Sequence, residues 1–438
     1  MQSRNLGDLR RKIQTKRAKV GIVGLGYVGL PLACLCAQRG FSTVGIDTDE
    51  DKIRKINAKK SYIKDVASSA VAAMVHRGKL SACSWSQVGN LDVVIICVPT
   101  PFNKNKEPDL SFVRSAGEAI AGKLKPGMLV ILESSTYPGT TEEILLPLLE
   151  KGRNLKCGRD FYLAYSPERV DPGNAKYKIR DIPKVVGGVT EACTDAASAF
   201  YGTIVPKVIS LSSSKAAEMS KLLENIFRNV NIALVNELAM LCDRMGIDVW
   251  EVIGAAATKP FGFMSFSPGP GVGGHCIPVD PVYLSWKAKE YDFYTNFINL
   301  AAEVNSNMPY FVVRKLMRIL FHGSLGAKQW KVLILGVTFK KDVHDARNSS
   351  AVKLIQILQK EGVEVAYHDP FVKDLSHEGL PLKTIALNER SLAGFDAVVI
   401  HTDHGSYDWD WVLKHSKIIF DTRNATRNIK AQGKIFKL

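Results

Sequence analysis

The sequence predicts an α/β fold: two Rossmann-like, doubly wound domains joined by a central domain of long helices. Residues 19–49, "KVGIVGLGYVGLPLACLCAQRGFSTVGIDTD", read in order as strand, glycine turn, helix, strand and aspartate. Residues 331–370, "KVLILGVTFKKDVHDARNSSAVKLIQILQKEGVEVAYHDP", repeat that order. From about Ser212 to about Phe321 the strand signals vanish and apolar residues recur at helical spacing. A βαβ pattern at both ends and a helical middle together predict this fold class.

The later strands of the two sheet domains can be matched in pairs. "LDVVIICVPTP" corresponds to "FDAVVIHTDH", and "MLVILESST" corresponds to "KIIFDTRN". Each is a short, β-branched apolar run that ends in polar residues, as expected for buried parallel strands. We expect sheet domains at residues 19–211 and 326–438 and the helical domain at residues 212–325. Residues 1–18 are a basic N-terminal extension, either a frayed end or an added helix.

The helical domain starts with the segment "SSSKAAEMSKLLENIFRNVNIALVNELAMLCDRMG". Ser212 to Ser214 supply candidate N-caps, and Gly246 is a stop signal. A second long helical stretch follows Pro281. Both stretches are long enough to form the connecting layer between the two sheet domains.

Composition narrows the classes of function. The 438 residues carry a net charge of +15, which suits an anionic partner, although a solvated basic surface is the simpler interpretation. On charge alone, a nucleic acid, a membrane surface and a phosphorylated small molecule are all candidate partners; no nucleic acid is expected once the sequence motifs are considered. The eight cysteines form no CxxC pair, so zinc ribbons and redox pairs are disfavoured and no metal is expected. Without a secretory signal or a membrane-length apolar run, the expected location is cytoplasmic, with free thiols and no membrane insertion.

The first glycine turn predicts a dinucleotide site. Gly24, Gly26 and Gly29 form a GxGxxG pattern between a strand and a helix, and Asp47 ends the next strand. Asp47 would bind ribose hydroxyls and repel a 2′-phosphate, and no arginine adjoins it, so NAD is favoured over NADP. The other expected cofactor-binding residues lie in the turn, after Asp47 or at later strand ends: Tyr27, Val28, Lys52, Thr100 and Thr136.

The second turn has lost the glycine triplet and gained cations. "GVTFKKDVHDAR" brings Lys340, Lys341 and Arg347 to the end of a strand. These side chains could meet the diphosphate of a second nucleotide, or they could be a solvated charge cluster.

The helical domain carries the candidate reactive group. Cys276 lies in the glycine- and proline-rich loop "GPGVGGHCIP", just before a helix start at which Asp280 is the expected N-cap and Pro281 the first helical residue. A helix N-terminus or a nearby lysine favours thiolate, whereas an inert core cysteine is the alternative. Lys221 and Asn225 are four residues apart on the first long helix and share one face, which Arg228 is expected to join.

These motifs resemble one known family. "GIVGLGYVGLPLA", "VPTP", "SSTYPGTT", "SPERVDPGN", "KLLEN", "GGHCIPVDP" and "FKKDVHDAR" occur here in the order found in the UDP-sugar 6-dehydrogenases. Members of that family oxidise the C6 alcohol of a UDP-linked sugar to a carboxylate with two NAD⁺. The resemblance covers nearly the whole chain and implies an NAD-binding domain, a dimerisation domain and a UDP-binding domain, with a UDP-sugar substrate and a homodimer or higher oligomer.

The resemblance also implies roles for individual residues. Cys276 would be the nucleophile, and a thioester would form on it. Lys221 would stabilise an oxyanion with Asn225 beside it, while Asp280 would assist proton steps or act only as an N-cap. Thr136 would position water, and Glu168 would be an acid, a base or a water-orienting group. The remaining substrate-binding and cofactor-binding roles would fall to Lys340 for the UDP-sugar, Arg347 toward NAD, and Arg169, Val170, Arg228 and Gly273 in the substrate site.

The substrate and two rival functions stay open at this point. "SPERVDPGN", with Pro172 in place of a glutamate, resembles the members that act on UDP-N-acetylhexosamines, above all UDP-N-acetylglucosamine. UDP-glucose, UDP-N-acetylmannosamine and UDP-N-acetylgalactosamine are the alternatives. A one-step β-hydroxyacid dehydrogenase and a non-catalytic nucleotide-binding protein are the rival functions; the first would need neither the Cys276 loop nor the second sheet domain.

Overall fold

The computed structural model describes residues 2–63, 66–103, 105, 107–170, 181–274, 276–322, 329–429 and 433–438. The chain divides into two compact units. The first unit comprises Met1–Glu224 and Val282–Phe293, and the second comprises Asn225–Pro281 and Tyr294–Leu438.

The first unit is built on an eight-stranded sheet with the order β3-β2-β1-β4-β5-β6-β7-β8. The first six strands are parallel and follow the dinucleotide-binding order 3-2-1-4-5-6. The strands are β1 Lys19–Val23, β2 Ser42–Ile46, β3 Leu80–Cys83, β4 Val93–Ile96, β5 Leu129–Leu132, β6 Tyr162–Tyr165, β7 Lys184–Gly188 and β8 Val208–Leu211. Strand β7 runs antiparallel to β6, whereas β4 and β5, which the sequence predicted as buried parallel strands, pair in parallel.

Among the described residues, seven α-helices precede β8, the last strand of this sheet. They are α1 Gln2–Gln14, α2 Gly29–Gln38, α3 Glu50–Asn57, α4 Ser68–His76, α5 Ser111–Ala121, α6 Leu146–Arg153 and α7 Glu191–Tyr201, with a π-helical turn at Thr141–Leu145. The central strands β4, β5 and β6 are buried along their whole length, which explains their continuous apolar runs.

The basic N-terminal extension forms helix α1, so the frayed-end alternative is wrong. Leu9 and Ile13 are buried in the core of the first unit. The Lys12 ammonium lies 2.8 Å from the Asp92 carboxylate, and Lys16 Nζ donates to the Thr203 carbonyl at 3.1 Å. The extension is therefore part of the first unit, with several of its cations in intramolecular contacts.

The middle of the chain is helical, as predicted. Its helices are α8 Ser214–Met245, α9 Val249–Ala256, α10 Asp280–Ala288 and α11 Asn296–His322. Ser213 caps α8 because its hydroxyl accepts from the Ala216 N–H at 3.2 Å, and Gly246 ends the helix with a φ of +72°. Helix α10 begins at Asp280 itself rather than at Pro281, because the Asp280 N–H already closes a turn onto the Cys276 carbonyl.

The second unit contains a five-stranded sheet with the order β10-β9-β11-β12-β13, in which all pairings are parallel. Its strands are β9 Lys331–Leu335, β10 Glu364–His368, β11 Ala397–Ile400, β12 Ile419–Asp421 and β13 Ile435–Lys437, and its helices are α12 Ser350–Lys360, α13 Glu389–Gly394 and α14 Trp409–His415. The repeat of the βαβ pattern is confirmed, but the connection from β9 to α12 is far longer than the one from β1 to α2.

Candidate active site

The three glycines between β1 and α2 have three different surroundings. A Cβ on Gly24, which has a φ of +90°, would lie 2.6 Å from the Cys97 carbonyl oxygen, and a Cβ on Gly29 would lie 1.8 Å from the Gly24 carbonyl oxygen. A Cβ on Gly26 would meet no atom of the described residues within 4 Å. Gly24 thus permits the turn, Gly29 permits close packing, and Gly26 leaves open the space that a pyrophosphate needs. The turn therefore fits NAD.

The acid at the end of β2 stabilises this turn. Asp47 Oδ2 accepts from the Leu25 N–H at 2.8 Å, and Asp47 Oδ1 accepts from the Asp49 N–H at 2.9 Å. Lys52 Nζ lies 3.2 Å from the same Asp47 Oδ2, so Lys52 contacts the predicted ribose-binding acid directly. Val28 immediately precedes α2, and Tyr27 is about half exposed at the turn.

Two threonines follow strands of this sheet on the carboxyl side. The Thr100 carbonyl accepts from the Tyr283 hydroxyl at 3.0 Å. Thr136 is fully buried, and its hydroxyl has no hydrogen-bond partner in the described part of the chain. A buried hydroxyl of this kind is suited to a bound water or ligand.

Glu218 of α8 holds the loop that carries Thr136. Its carboxylate accepts from the Gly139 N–H at 2.6 Å, the Thr141 N–H at 2.9 Å and the Thr141 hydroxyl at 2.7 Å. Burial raises the pKa of Glu218 to about 7 despite these donors. The sequence analysis did not single out Glu218, although an acid at a buried position of a helix is the signal that could have found it.

Glu168 is held as a carboxylate by three donors. Its Oε1 accepts from the N–H groups of Arg169 at 2.7 Å and Val170 at 2.8 Å, and its Oε2 lies 3.1 Å from Lys184 Nζ. Burial by itself would raise the pKa of Glu168, but the Lys184 ammonium and the hydrogen bonds outweigh burial and lower it. Of the roles predicted for Glu168, a lowered pKa favours base or water-orienting group over acid.

Arg169 is engaged by protein groups. Its guanidinium contacts the Glu224 carboxylate, with Nη2 to Oε1 at 2.7 Å, and donates to the Pro183 carbonyl at 2.9 Å. The side chain of Arg169 is therefore committed to α8 and to the start of β7. Any substrate contact by Arg169 has to compete with this ion pair, which the sequence alone did not reveal.

Lys221 and Asn225 lie on successive turns of α8, and both are buried. Lys221 Nζ donates to the Glu168 carbonyl oxygen at 2.7 Å. The Asn225 side-chain amide donates to Asp280 Oδ2 at 2.5 Å. Arg228, expected on the same face, is exposed.

Cys276 directly precedes helix α10. Its carbonyl accepts from the N–H groups of Val279 at 3.0 Å and Asp280 at 2.8 Å, which closes the turn that leads into the helix. The thiol is thus carried at a helix start, as predicted, with the buried Asp280 one turn further on. In the second unit, the structure brings Cys276, Asp280 and Asn225 into one neighbourhood.

A row of asparagines on α8 anchors the cysteine loop. Asn229 Nδ2 donates to the Ile277 carbonyl at 3.2 Å, and Asn236 Oδ1 accepts from the Gly269 N–H at 2.9 Å. Asn305 of α11 bridges the row, since it accepts from Asn236 at 2.8 Å and donates to the Asn229 carbonyl at 2.9 Å. Asparagine is a poor helix former, so its recurrence at 225, 229 and 236 was a signal that the sequence analysis missed.

The glycines of this loop are explained by packing within the second unit. A Cβ on Gly273 would lie 2.7 Å from the Asn348 carbonyl oxygen, and one on Gly274, which has a φ of +92°, would lie 3.1 Å from the Phe339 ring. The absent side chains of these two glycines let the loop lie against the β9–α12 connection.

The cations of the β9–α12 connection have acidic neighbours. The Arg347 guanidinium pairs with the Asp345 carboxylate at 2.8 Å, and Lys341 Nζ lies 3.7 Å from Asp403 Oδ2. Lys340 is partly buried in the same connection. Asp369 repeats the role of Asp47, because its Oδ2 accepts from the Val337 N–H at 2.6 Å. No role was predicted for Asp369 from the sequence.

Two segments discussed in the sequence include residues that the structure does not describe. His275, which was not assigned a role, and residues 171–180 with Pro172 lie outside the described residues. Within the described ranges, no group of three or more His, Cys, Asp or Glu residues is arranged to hold a metal ion. All eight cysteines lie within the described residues, and none of them forms a disulfide bond. Among the helices described, none has the length and apolar character needed to cross a bilayer.

The fold and the site define a class of protein. A dinucleotide turn in a 3-2-1-4-5-6 sheet, a second parallel sheet and a thiol at a helix start are features of a dinucleotide-dependent oxidoreductase. The chain belongs to the UDP-glucose/GDP-mannose dehydrogenase family: the NAD binding domain of that family matches residues 18–205, the central domain matches 215–307, and the UDP binding domain matches 333–428. It is an NAD-dependent UDP-sugar dehydrogenase. The predicted family, fold class and cofactor are thereby confirmed, whereas the four segment boundaries and the residue roles stay predictions.

Individual relatives are similar over nearly their whole length. A UDP-N-acetyl-D-mannosamine dehydrogenase from Pyrococcus horikoshii is 37% identical over 413 residues, which cover 93% of this chain and 95% of the relative. A UDP-N-acetyl-D-glucosamine 6-dehydrogenase from Pseudomonas aeruginosa is 36% identical over 396 residues, which cover 90% and 92%. Among solved structures, a UDP-D-ManNAc dehydrogenase from Pyrococcus horikoshii has a TM-score of 0.86 at 34% identity, covering 96% of this chain and 98% of that one.

Proposed function

We propose that this protein oxidises the C6 alcohol of a UDP-N-acetylhexosamine to the uronic acid, with two NAD⁺ consumed per sugar. NAD⁺, held at the Gly24–Gly29 turn, supplies the hydride acceptor for each oxidation. The observation that carries the proposal is the Cys276 loop, with its thiol at the start of α10 and the Asn225–Asp280 pair beside it. A one-step alcohol dehydrogenase has no use for such a thiol.

The first oxidation converts the C6 alcohol to an aldehyde. The alcohol loses a hydride from carbon and a proton from oxygen. The Lys221 ammonium stabilises the negative charge that develops on that oxygen, and the Glu168 carbonyl holds Lys221 Nζ at 2.7 Å. Glu168, kept ionised by Lys184, and the buried Thr136 hydroxyl orient the water that serves as proton carrier.

The second oxidation requires a tetrahedral carbon. The Cys276 thiolate adds to the aldehyde carbon, a C–S bond forms, and the oxygen takes a proton to give a thiohemiacetal. Loss of a second hydride from that carbon, for which a second NAD⁺ would be the acceptor, together with loss of the hydroxyl proton, leaves a thioester. Water then attacks the thioester, the C–S bond breaks, and the carboxylic acid departs while the thiol is regenerated. Asp280, which is hydrogen-bonded to Asn225, assists the proton transfer that accompanies hydrolysis of the thioester.

The remaining residues bind the two nucleotides. Lys340 binds the UDP-sugar diphosphate as a point charge, and Arg347 exchanges its Asp345 contact for the cofactor. Gly273, Arg228, Arg169 and Val170 complete the substrate site. We further propose that the protein acts in the cytoplasm, where reducing conditions keep Cys276 free.

A panel of nucleotide sugars tests the substrate class. We expect turnover of UDP-N-acetylglucosamine or UDP-N-acetylmannosamine to exceed that of UDP-glucose, with two NADH and one uronic acid formed per sugar. UDP-N-acetylglucosamine follows from the "SPERVDPGN" segment, and UDP-N-acetylmannosamine is favoured by the relative that is 37% identical. The measurements are NADH absorbance and product mass, with UDP-N-acetylgalactosamine as a further arm. Preference for UDP-glucose would contradict the acetamido assignment, and one NADH per sugar would contradict the two-step reaction.

We also propose that the protein is a homodimer that associates through the second unit. Leu234, Leu238, Leu241 and Met245 recur every three or four residues on α8, and all four are exposed. Phe261, Met264, Phe297 and Leu300 add large exposed apolar side chains to the same unit. Exposed apolar side chains in this number on one unit are typical of a self-complementary contact.

Replacement of two exposed leucines on α8 by lysine tests the dimer. Leu238→Lys with Leu241→Lys is expected to convert dimer to monomer at micromolar concentration, measured by light scattering after size-exclusion chromatography. Burial of a leucine side chain in the dimer interface contributes roughly 1.5–3 kcal/mol to association. Loss of two such side chains should therefore raise the dissociation constant of the dimer roughly 100-fold or more. Phe112→Lys is the matched control, since Phe112 is similarly exposed on α5 in the first unit. A double variant that elutes as the wild type does would refute this interface.

A further inference from the structure

A buried ammonium lies between two carboxylates behind the candidate active site. Lys184, the first residue of β7, has Nζ 3.0 Å from Glu133 Oε1 and 3.1 Å from Glu168 Oε2. The Lys184 side chain is 8% exposed and that of Glu133 is 0% exposed. Charges this deeply buried are retained only where they are paired, so one cation here serves two anions.

The two carboxylates are not equivalent. Glu168 accepts from two backbone N–H groups as well as from Lys184. In Glu133, a single oxygen, Oε1, accepts from both the Tyr201 hydroxyl and Lys184 Nζ. The second oxygen of Glu133, Oε2, has no hydrogen-bond partner among the described residues. Burial raises the pKa of Glu133, while Lys184 and the hydrogen bonds lower that of Glu168. Of the two carboxyl groups, Glu168 is therefore the one more strongly stabilised as a carboxylate.

Other titratable groups around this cluster do not supply a competing charge. The thiols of Cys36 on α2 and Cys97 after β4 are neutral, because burial raises the pKa of each. Burial also raises the pKa of the Tyr201 hydroxyl. Burial alone would lower the pKa of Lys184. The two carboxylates outweigh the effect of burial and raise this pKa, so Lys184 stays charged.

We propose that Lys184 is a positioning residue of the oxidation: its ammonium keeps Glu168 a carboxylate and thereby fixes the carbonyl oxygen that accepts from Lys221. The inference rests on the proposed function, in which Glu168 and Lys221 act on the substrate. The chain of contacts is short, because one residue carries both the carboxylate that meets Lys184 and the carbonyl that meets Lys221 Nζ at 2.7 Å. Among the described residues, Glu168 is the link between Lys184 and the site.

Substitution of Lys184 tests the proposal by a pH profile. In Lys184→Met, Glu168 loses its buried counter-ion, so its protonation moves to higher pH. We expect kcat at neutral pH to fall about 10-fold or more, the KM for NAD to change little, and the acidic limb of the kcat profile to move upward in pH. Lys184→Arg keeps the positive charge, so the acidic limb of its kcat profile should lie at the wild-type pH. A limb that stays at the wild-type position in Lys184→Met would overturn the proposal.

Two controls separate positioning from stability. Lys287 is also a buried ammonium between two carboxylates, at 2.6 Å from Glu143 and 2.5 Å from Glu290, but it does not contact Glu168. Lys287→Met should lower the melting temperature without moving the acidic limb. Glu133→Gln removes the competing carboxylate, leaves the Lys184–Glu168 pair, and should keep kcat within about threefold of the wild type. If Glu133→Gln reproduced the loss seen in Lys184→Met, the cluster would be only structural.

An infrared measurement makes the outcome independent of turnover. We expect the infrared difference spectrum between Lys184→Met and the wild type at neutral pH to show an additional carboxylic-acid C=O band, which disappears in Lys184→Met/Glu168→Gln. Persistence of the band in the double variant would put the proton on Glu133 and overturn the proposal. If the wild type turned over no UDP-sugar, the proposed function would fail while this readout still decided the role of Lys184. Should Lys184→Met not fold, Lys184→Gln carries the same test, because it also removes the ammonium and keeps a polar side chain beside the two carboxyl groups.

Discussion

Replacement of Cys276 by serine should stop the reaction between its two oxidations. Serine keeps the size of the side chain, but its hydroxyl is far too weak an acid to be an alkoxide at neutral pH without a dedicated base. We expect overall turnover to fall by several orders of magnitude, while folding and NAD binding survive. Any slow product should be an aldehyde or an enzyme-bound adduct. In the wild type, rapid quenching and mass spectrometry should find the sugar on the peptide that contains Cys276.

Cys242→Ser is the matched control for this substitution. Cys242 lies on α8 in the same unit, is buried, and packs in a small apolar cluster with Ala239 and Val249. Its replacement should affect stability at most and leave the number of NADH per sugar at two. Release of free uronic acid by Cys276→Ser at nearly the wild-type rate would remove the thiol from the mechanism. The loop would then be explained by its packing against the β9–α12 connection alone.

Lys221→Met should produce the second large effect, on the first oxidation. Methionine fills a similar volume but cannot stabilise a developing oxyanion, and loss of one such donor typically costs about 10²–10³-fold in kcat. We expect the rate of NADH formation in a single turnover to fall by that factor. Binding of NAD, measured by calorimetry, should change little because the Gly24–Gly29 turn is untouched. An unchanged single-turnover rate would assign Lys221 a purely structural contact with the Glu168 carbonyl.

Lys215→Met is the matched control, because Lys215 lies on the same helix two turns earlier. Lys215 Nζ pairs with Glu142 at 3.3 Å, and its side chain is about half exposed. An exposed ion pair of this kind contributes little to stability, so this variant should keep the wild-type rate. A comparable loss in both variants would mean that any change on α8 slows the enzyme, and the specific role of Lys221 would be withdrawn.

The sequence predicted those features that depend on nearest neighbours along the chain. The GxGxxG turn, the buried parallel strands and the Gly246 stop all follow from local backbone rules, and the structure contains each of them. The thiol at a helix start was predictable for the same reason, since Asp280 and Pro281 lie within one turn of Cys276. The ordered motifs also identified the family and its cofactor.

Contacts between segments distant in sequence were not predictable. No local pattern joins Lys184 to Glu168 and Glu133, ties Arg169 to Glu224, or reverses strand β7 relative to β6. Asparagine is common in loops, so its row on α8 gained meaning only when the Gly269–Asp280 segment was seen to hydrogen-bond to it.

The sequence by itself determined that this is a two-sheet, NAD-dependent UDP-sugar dehydrogenase with a thiol in a glycine loop, because short-range patterns encode turns, strands, helix starts and family motifs. Only the tertiary structure decided which side chains share a hydrogen bond. In the tertiary structure, the loop glycines pack against Asn348 and Phe339, and a buried cation lies beside Glu168. The physical reason is that burial and ion pairing depend on all neighbours in space, whereas a sequence pattern reports only the neighbours along the chain.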